Sequence, residues 1–482
     1  MPLINFAGLA SGIDSESLIS ATIEAARARD IEPKEKQKTD YKDTNDALEG
    51  MRDLVVDLQE TAKQFRVLGG SAIFKQAVSS DETVASVTAA NGAANQSFTL
   101  TVNQVARTGT FSFADTFASL TAPVAAGIVS TGNPNDQIQI DIGTGTSQVT
   151  TMITVDATTT ISDIIDDFNS NTANDGRAVM SYVNVAAPGA TASYKIVLSS
   201  LKEGELEGTI AVTSGANIIT AGVLNHALAT TNQAQNAEFT VSGIAGVIER
   251  STNNVSDVFT GITMNLDKAG TTTVTVSDDF DATAALIQEY VDKYNAIIDY
   301  ANENNLIAKE SEDPDALNVF GPLARTSVDE GLVGVLRSAI ANSKYDVEGA
   351  PIRIMADLGV QSQQSGKLIF NIDNILTPSF KDAMSTDPSA VKEILEALGD
   401  FNAGLTLEGG TVDPIIRFNG VMDISIRGNK EQIDRLNDQI ARAEKSIARQ
   451  EESLRQRFAR LEGLVGRLQS QQSALSSALA GL

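Results

Sequence analysis

Gly366-Lys367 is the pair in this 482-residue chain that comes nearest to a phosphate-binding loop. Such a loop needs glycine at position 361 and a magnesium-holding hydroxyl at position 368. Those positions hold Gln361 and Leu368, so the pair reads as a turn. Asp278, Asp279 and Asp281 could draw calcium, but their loop lacks the EF-hand spacing, its central glycine and its closing glutamate. Acidic residues at the head of a helix are stabilised by the exposed amides and the dipole, which accounts for them without an ion. Asp163, Asp166 and Asp167 read in the same way, as the solvated face of a short amphipathic helix. His226 is the sole histidine, so a Ser-His-Asp triad would have to use it and a histidine-rich metal site is impossible. Its setting, GVLNHALATT, suits a surface or loop residue. Cysteine is absent, which removes disulfides, thiolate metal sites and cysteine nucleophiles together. No pair of carboxylates stands out by spacing for glycoside hydrolysis. The expectation is a protein that is not an enzyme, with no catalytic residue, no cofactor and no metal.

Charge narrows the partners. Lys and Arg total 36 against 62 for Asp and Glu, a formal charge of -26. That balance argues against nucleic acid, whose recognition needs a basic face, and against an anionic membrane. No segment approaches the apolar length of a membrane span, so no membrane insertion is expected. The opening MPLINFAGLASGIDSESLIS has neither a basic n-region nor a long apolar stretch, so export through a cleaved signal is not expected.

The ends of the chain read as helix. Every seventh residue from Ile433 is apolar: Ile440, Ile447, Leu454, Leu461, Leu468, Leu475 and Leu482. The companion series is broken by Gln450, Arg457 and Gln471, so the seam is moderate. Asn429 with Gln432 is a candidate capping box for this helix. Near the N-terminus Tyr41, Leu48, Val55 and Ala62 form one heptad series, and Thr44, Met51, Leu58 and Phe65 the other. Pro33 breaks or begins that helix, and Gly69-Gly70 stops it. Two such helices can bury each other's apolar stripes within one chain, or pack between subunits. Ahead of them, Asp14 is a candidate N-cap with Ser17 in its first turn.

Between the ends the period falls to two. Phe98, Leu100 and Val102 alternate with polar residues, as do Ile138, Ile140 and Ile142. Tyr194, Ile196 and Leu198 follow, then Phe239 with Val241 and Val274 with Val276. These are half-buried antiparallel strands. Asn91-Gly92 and Ala269-Gly270 suit hairpin turns between them. A short helix is expected around Ile161 to Phe168. Helix returns after Asp281, a candidate N-cap, and again near Val328 to Ile340 and Ala390 to Leu398. A short β element lies around Ile352 to Phe370. The fold class is α+β and multidomain: terminal helices form a coiled-coil or helix-bundle stalk, with antiparallel β head domains inserted.

GLASGIDSESLI, Gly8 to Ile19, resembles the opening of the bacterial flagellar filament-capping family, also called hook-associated protein 2. Gly8, Leu9, Ser11, Gly12, Ile13 and Asp14 match its leading motif, with Ala10 where glycine is common. FTLTVNQVAR is similar to the family's first head strand. FTVSGIAGVIERSTNNVSDVFTGITMNL and GTTTVTVSDD are similar to its return strands, with Asn253, Asn254, Val255, Gly261 and Ile262 in matching places. YVDKYNAII resembles the helix that re-enters the stalk, with Tyr294 and Asn295 as its Tyr-Asn pair. LGVQSQQSGKLIFNID and RFARLEGLVGRLQSQQSALSSAL resemble later family elements. ISDIIDDFNSN looks like the short helix of the head repeat, with Phe168 where isoleucine is common.

The resemblance implies an oligomeric cap at the distal end of the flagellar filament, which retains exported flagellin and promotes its insertion. The implied partners are the chain itself in a ring-shaped homo-oligomer, flagellin, hook-associated junction proteins, and an export chaperone at the C-terminal region. The implied location is the flagellum tip outside the cell, reached through the flagellar type III apparatus. Gly8, Leu9, Ser11, Gly12, Ile13 and Asp14 become candidate filament contacts. Tyr41, Leu48 and Val55 with Ile433 to Leu482 become candidate coiled-coil seam. The expected divisions are a flexible leg over 1–40, a stalk helix over 41–75, and a first head domain over 76–115 and 236–280. A distal head domain takes 116–235, a helical stalk domain 281–430 and a coiled-coil leg 431–482. The alternatives are a surface adhesin acting through the β head, or another axial protein of the hook–filament junction.

Overall fold

The computed structural model describes residue 12 and residues 14–66, 71–124, 127–128, 134–174, 176–309, 318–373, 378–403 and 412–480. The chain folds as two units. One combines residues 1–67 with 281–482, and the other is the intervening 68–280.

The first unit begins with α1, Ser15–Asp30, and α2, Glu32–Lys63. Asp14 caps α1 by accepting the Ser17 N–H at 3.0 Å, an orphan donor that helix starts leave unpaired. Pro33 stands in the first turn of α2, where its missing N–H is harmless. The expected flexible leg over 1–40 therefore holds α1 and the start of α2 within its described part. The 40/41 boundary falls inside α2.

The second unit opens with β1 (Lys75–Ser79), β2 (Ala85–Ala89), β3 (Gln96–Gln104) and β4 (Thr108–Ser112). Next come β5 (Gln137–Ile142), β6 (Val149–Thr154), α3 (Ile161–Ser170), β7 (Ala178–Asn184) and β8 (Tyr194–Glu203). The short α4 (Glu205–Gly208), β9 (Ile210–Ser214), α5 (Ala216–Thr220) and β10 (Thr230–Asn232) lead back. The return strands are β11 (Ala237–Val241), β12 (Ile248–Arg250), β13 (Asn254–Phe259), β14 (Ile262–Leu266) and β15 (Gly270–Asp278).

These strands make two cores. In the proximal module a sheet of order β1-β15-β3-β11-β12 faces a sheet of order β13-β14-β2. Leu100, Phe239, Met264 and Val274 fill the space between them. In the distal module the sheet β10-β4-β8-β7, the sheet β6-β5-β9 and α3 enclose Phe113, Ile140, Ile164, Phe168, Ile196 and Leu198. Alternation put the right side chains inside: Phe98, Leu100 and Val102 are buried on β3, and Ile138, Ile140 and Ile142 on β5.

Both expected hairpins fail. Asn91-Gly92 joins β2 to β3 and Ala269-Gly270 joins β14 to β15, and in each case the two strands lie in different sheets. The turn residues are present, but the chain uses them to cross between layers. Asn253 ties the two modules together. Its amide exchanges hydrogen bonds with the Ala106 backbone at 2.7 and 3.0 Å, and its Nδ2 donates to the Glu203 carboxylate at 3.1 Å.

The first unit resumes with α6, Phe280–Asn304, so Asp281 lies in the first turn and is not the N-cap. A hairpin of β16 (Ile307–Lys309) and β17 (Asn318–Phe320) precedes α7, Val328–Asn342. β18 (Val360–Ser362) and β19 (Leu368–Phe370) form a second hairpin. Then follow α8 (Phe380–Thr386), α9 (Pro388–Ala403), α10 (Asp413–Ile416) and α11, Val421–Ala480. At 60 residues α11 is about 90 Å long. It starts earlier than the Asn429/Gln432 pair suggested, behind a turn in which Asn419 takes φ +59° and Asp423 accepts the Asn419 N–H. Asn429 is interior to the helix and donates to Asn45 on α2 at 2.8 Å. The expected 430/431 division thus falls within one continuous helix. Gly69 and Gly70 lie outside the described residues.

Candidate assembly interface

The apolar row of α11 has two environments. Ile440 and Ile447 are buried against Ala26 and Ile31 of the N-terminal segment, with Ile23 and Ala443 beside them. Ile433 and Leu454 are half-buried. Beyond Leu454 cover ends: Leu461 is 45 % exposed, Leu468 55 % and Leu475 64 %. Leu464 and Leu479 are exposed as well.

The change coincides with the start of α1. The Glu16 carboxylate accepts from both terminal guanidinium nitrogens of Arg455, at 2.7 and 2.8 Å, and Glu451 accepts from Arg455 at 3.1 Å. The two carboxylates raise the Arg455 guanidinium above its ordinary range, the Glu16 hydrogen bonds first. Glu16 opposite Arg455 and Ile31 near Ile440 mean that α1 runs antiparallel to α11. Asp14 caps the start of α1, and the Ser17 N–H holds the Asp14 carboxyl below the usual carboxylate range. Of the motif residues, Gly12 has φ +74° and Asp14 caps α1. Gly8, Leu9, Ser11 and Ile13, like Leu482, lie outside the described residues.

The α2 row is used differently. Leu48 and Val55 are fully buried and Tyr41 half-buried. They do not pair with α11 alone, because α2 packs against α6 and α9 too. Thr61 meets Glu289 and Lys293 of α6. The Phe65 ring stands edge-on to Tyr290, and Gly399 of α9 sits against Ala62 and Phe65. A helix with three neighbours needs a wider apolar face than a two-stranded coil, and Leu48, Met51, Val55, Leu58 and Ala62 supply it.

Several of the residues first weighed for chemistry have structural partners. Asp278 is paired with Lys75 and Asn95. Gly366 turns the β18–β19 hairpin at φ +85°, and Lys367 pairs with Asp299 at 2.6 Å. His226 Nδ1 accepts the Ser214 N–H at 2.9 Å. Among the described residues no group of three His, Asp or Glu side chains could hold a metal, and no helix is long and apolar enough to cross a membrane.

Comparison with known proteins identifies the arrangement. Residues 11–109 match the family described as Flagellar hook-associated protein 2 N-terminus, and residues 234–470 match its C-terminus. The chain belongs to the flagellar hook-associated protein 2 family. A relative of that name from Salmonella typhimurium is 30% identical over 266 residues, 51% of this chain and 54% of the relative. The chain thus matches about half the length of that relative. The Campylobacter jejuni protein of the same name is 23% identical over 461 residues, 86% of this chain and 68% of its own. The crystal structure of the flagellar cap protein FliD D1-D2-D3 domains from Escherichia coli shares the α+β multidomain fold. Its TM-score is 0.57 at 20% identity, covering 81% of this chain and 99% of that one. None of these relatives is named as an adhesin. Neither family match covers residues 110–233, which contain most of the distal module.

Proposed function

We propose that this protein is a structural assembly factor and not an enzyme: an oligomeric cap at the distal end of the flagellar filament that retains exported flagellin and promotes its insertion. The observation that carries this reading is the division of α11. Its proximal part is fastened by α1, while Leu461, Leu464, Leu468, Leu475 and Leu479 form an uncovered apolar row on the same helix. A monomer seldom leaves such a row in water unless something docks on it. The filament end, where flagellin and the cap's helical legs meet, is the partner of that chemistry. The motif Gly8, Leu9, Ser11, Gly12, Ile13 and Asp14 precedes α1 in sequence and serves the same contact. Self-association into a ring, contact with hook-associated junction proteins, and a chaperone on the C-terminal region before export complete the reading. The site of action is the flagellum tip, reached by type III export.

The test is a strain lacking this gene, scored for swimming and for flagellin in the medium. Loss of swimming with unpolymerised flagellin outside the cell is the expected result. Complementation with a chain truncated before Leu461 is expected to restore neither. Normal filaments in the deletion strain would overturn the proposal.

A further inference from the structure

The distal module has a sheet edge that is closed along one half and open along the other. β7 is the outer strand of its sheet, so one row of its backbone groups faces away from β8. Leu201 N–H donates to the Arg177 carbonyl and Val185 N–H to the Ser193 carbonyl, so the odd-numbered residues bond toward β8. Backbone groups alternate along an antiparallel strand, and Ala178, Met180, Tyr182 and Asn184 therefore point theirs outward.

Two asparagines plug the first half. Asn174 Nδ2 donates to the Ala178 carbonyl at 2.7 Å, and its Oδ1 accepts the Ala178 N–H at 3.1 Å. Asn169 treats Met180 in the same way, at 2.9 Å in each direction. An amide side chain offers one donor and one acceptor side by side, as a neighbouring strand would. Beyond Met180 the plugs stop. Tyr182 is 49 % exposed and Val183 48 %. No charged residue occurs from Ala178 to Tyr194, and no proline before Pro188. The edge lacks the features that ordinarily keep sheet edges apart.

We propose that the open half, Tyr182 to Asn184, docks the same segment of a second copy of this chain, as an antiparallel strand pair about a two-fold axis at Val183. Two observations select a second copy. The segment is self-complementary: with the axis at Val183, Tyr182 lies opposite Asn184 of the partner subunit. Both residues carry outward N–H and C=O groups, and about four backbone hydrogen bonds close. Charge points the same way. At -26 two copies repel wherever acids meet, and this strand brings no charge to its partner. A three-residue contact falls short of the roughly 1,000 Å² of a stable interface, so the pairing is weak and concentration-dependent. It is isologous and closes on two copies, so it adds to a ring and does not build one. It does not depend on the filament-cap reading.

The absence of cysteine makes the test clean. Val183→Cys in the full chain places one thiol at the axis. Paired residues there lack mutual hydrogen bonds, and their Cα atoms stand about 4.5 Å apart, within reach of a disulfide. Mild oxidation is expected to give a disulfide-linked dimer. Val179→Cys, on the plugged half, is expected to form no disulfide-linked dimer. Adding Tyr182→Pro to Val183→Cys removes an outward N–H and leaves the backbone bonds to β8 in place, though it also removes the Tyr182 ring from Tyr194. It is expected to lower the dimer yield several-fold while the circular dichroism stays unchanged. A Val183→Cys yield no greater than that of Val179→Cys would overturn the proposal. A yield that survives Tyr182→Pro in a folded chain would also overturn it, since the contact would then not be a strand pair.

Discussion

Asn295 holds Leu368 by both of its backbone groups. Its Nδ2 donates to the Leu368 carbonyl at 2.9 Å, and its Oδ1 accepts the Leu368 N–H at 2.7 Å. The adjacent Tyr294 hydroxyl donates to the Gly366 carbonyl at 3.3 Å. Two consecutive residues of α6 therefore pin the turn and the second strand of the β18–β19 hairpin. The Tyr-Asn pair that marks the re-entry helix in the family resemblance is a clamp for a hairpin about seventy residues further on.

Asn295→Ala is expected to cost about 1–3 kcal/mol, because it leaves a part-buried donor and acceptor of Leu368 unpaired. Asn295→Asp keeps the acceptor and loses the donor, and should fall between Asn295→Ala and wild type. Urea midpoints of the three proteins check the order. Equal midpoints for wild type and Asn295→Ala would show that the hairpin holds without the clamp.

The clamp also shows which features were legible in the sequence. Periodicity located β3, β5, α2 and α11, because burial of one face forces a repeat that a reader can count. It did not locate the start of α11. Asn429 looks like a cap in isolation, yet its amide is drawn to Asn45, a partner hundreds of residues away in sequence. The Asn91-Gly92 turn was visible, but nothing local states that its flanking strands enter different sheets. The same holds for Asn169 and Asn174, whose amides stand in for a missing strand. A polar side chain paired with distant or non-repeating backbone leaves no period. In the candidate interface, the apolar row from Ile433 to Leu475 was legible as a row. Its division near Leu454 was not, since that depends on where the antiparallel α1 begins.

Asn253→Ala is expected to uncouple the two modules of the inserted unit. The wild-type amide bonds the Ala106 backbone, where the chain passes toward the distal module, and the Glu203 carboxylate at the end of β8. Loss of those bonds should cost about 1–3 kcal/mol, with the upper part of that range favoured by the charged acceptor. Calorimetry is the check: the variant should melt the distal module in a separate, earlier transition. A single transition at the wild-type temperature would mean that the modules are joined by other contacts.

The distal module should carry an acid-sensitive element at Asp156. Hydrogen bonds from the Thr158 and Thr159 side chains and backbone hold its carboxyl at about 2, against an ordinary value of 3.8. A depressed carboxylate stabilises the fold above its unfolded value, and that contribution disappears as pH falls through the folded one. The window is therefore from about pH 4 down to about pH 2. Asp156→Asn should lower the melting temperature above pH 4 and narrow its gap from wild type as the pH approaches 2. Melting curves at stepped pH decide this. A gap that stays constant across the window would show that Asp156 acts through packing and not through its charge.

The exposed leucines of α11 can be separated from the fold. Leu461 and Leu468 are largely in water, and exchanging each for glutamate should move stability by no more than about 0.5 kcal/mol. Ile447 sits in the core shared with Ala26 and Ile31, so Ile447→Glu forces a charge into an apolar site and should cost several kcal/mol. The expected pattern is a melting temperature unchanged in Leu461→Glu and Leu468→Glu but lowered in Ile447→Glu. Swimming should nevertheless fail in the two leucine variants, with flagellin accumulating in the medium, because the row proposed to dock on the filament end has become charged. Normal swimming in both leucine variants would move the docking surface elsewhere on the molecule and leave the exposed row without a role.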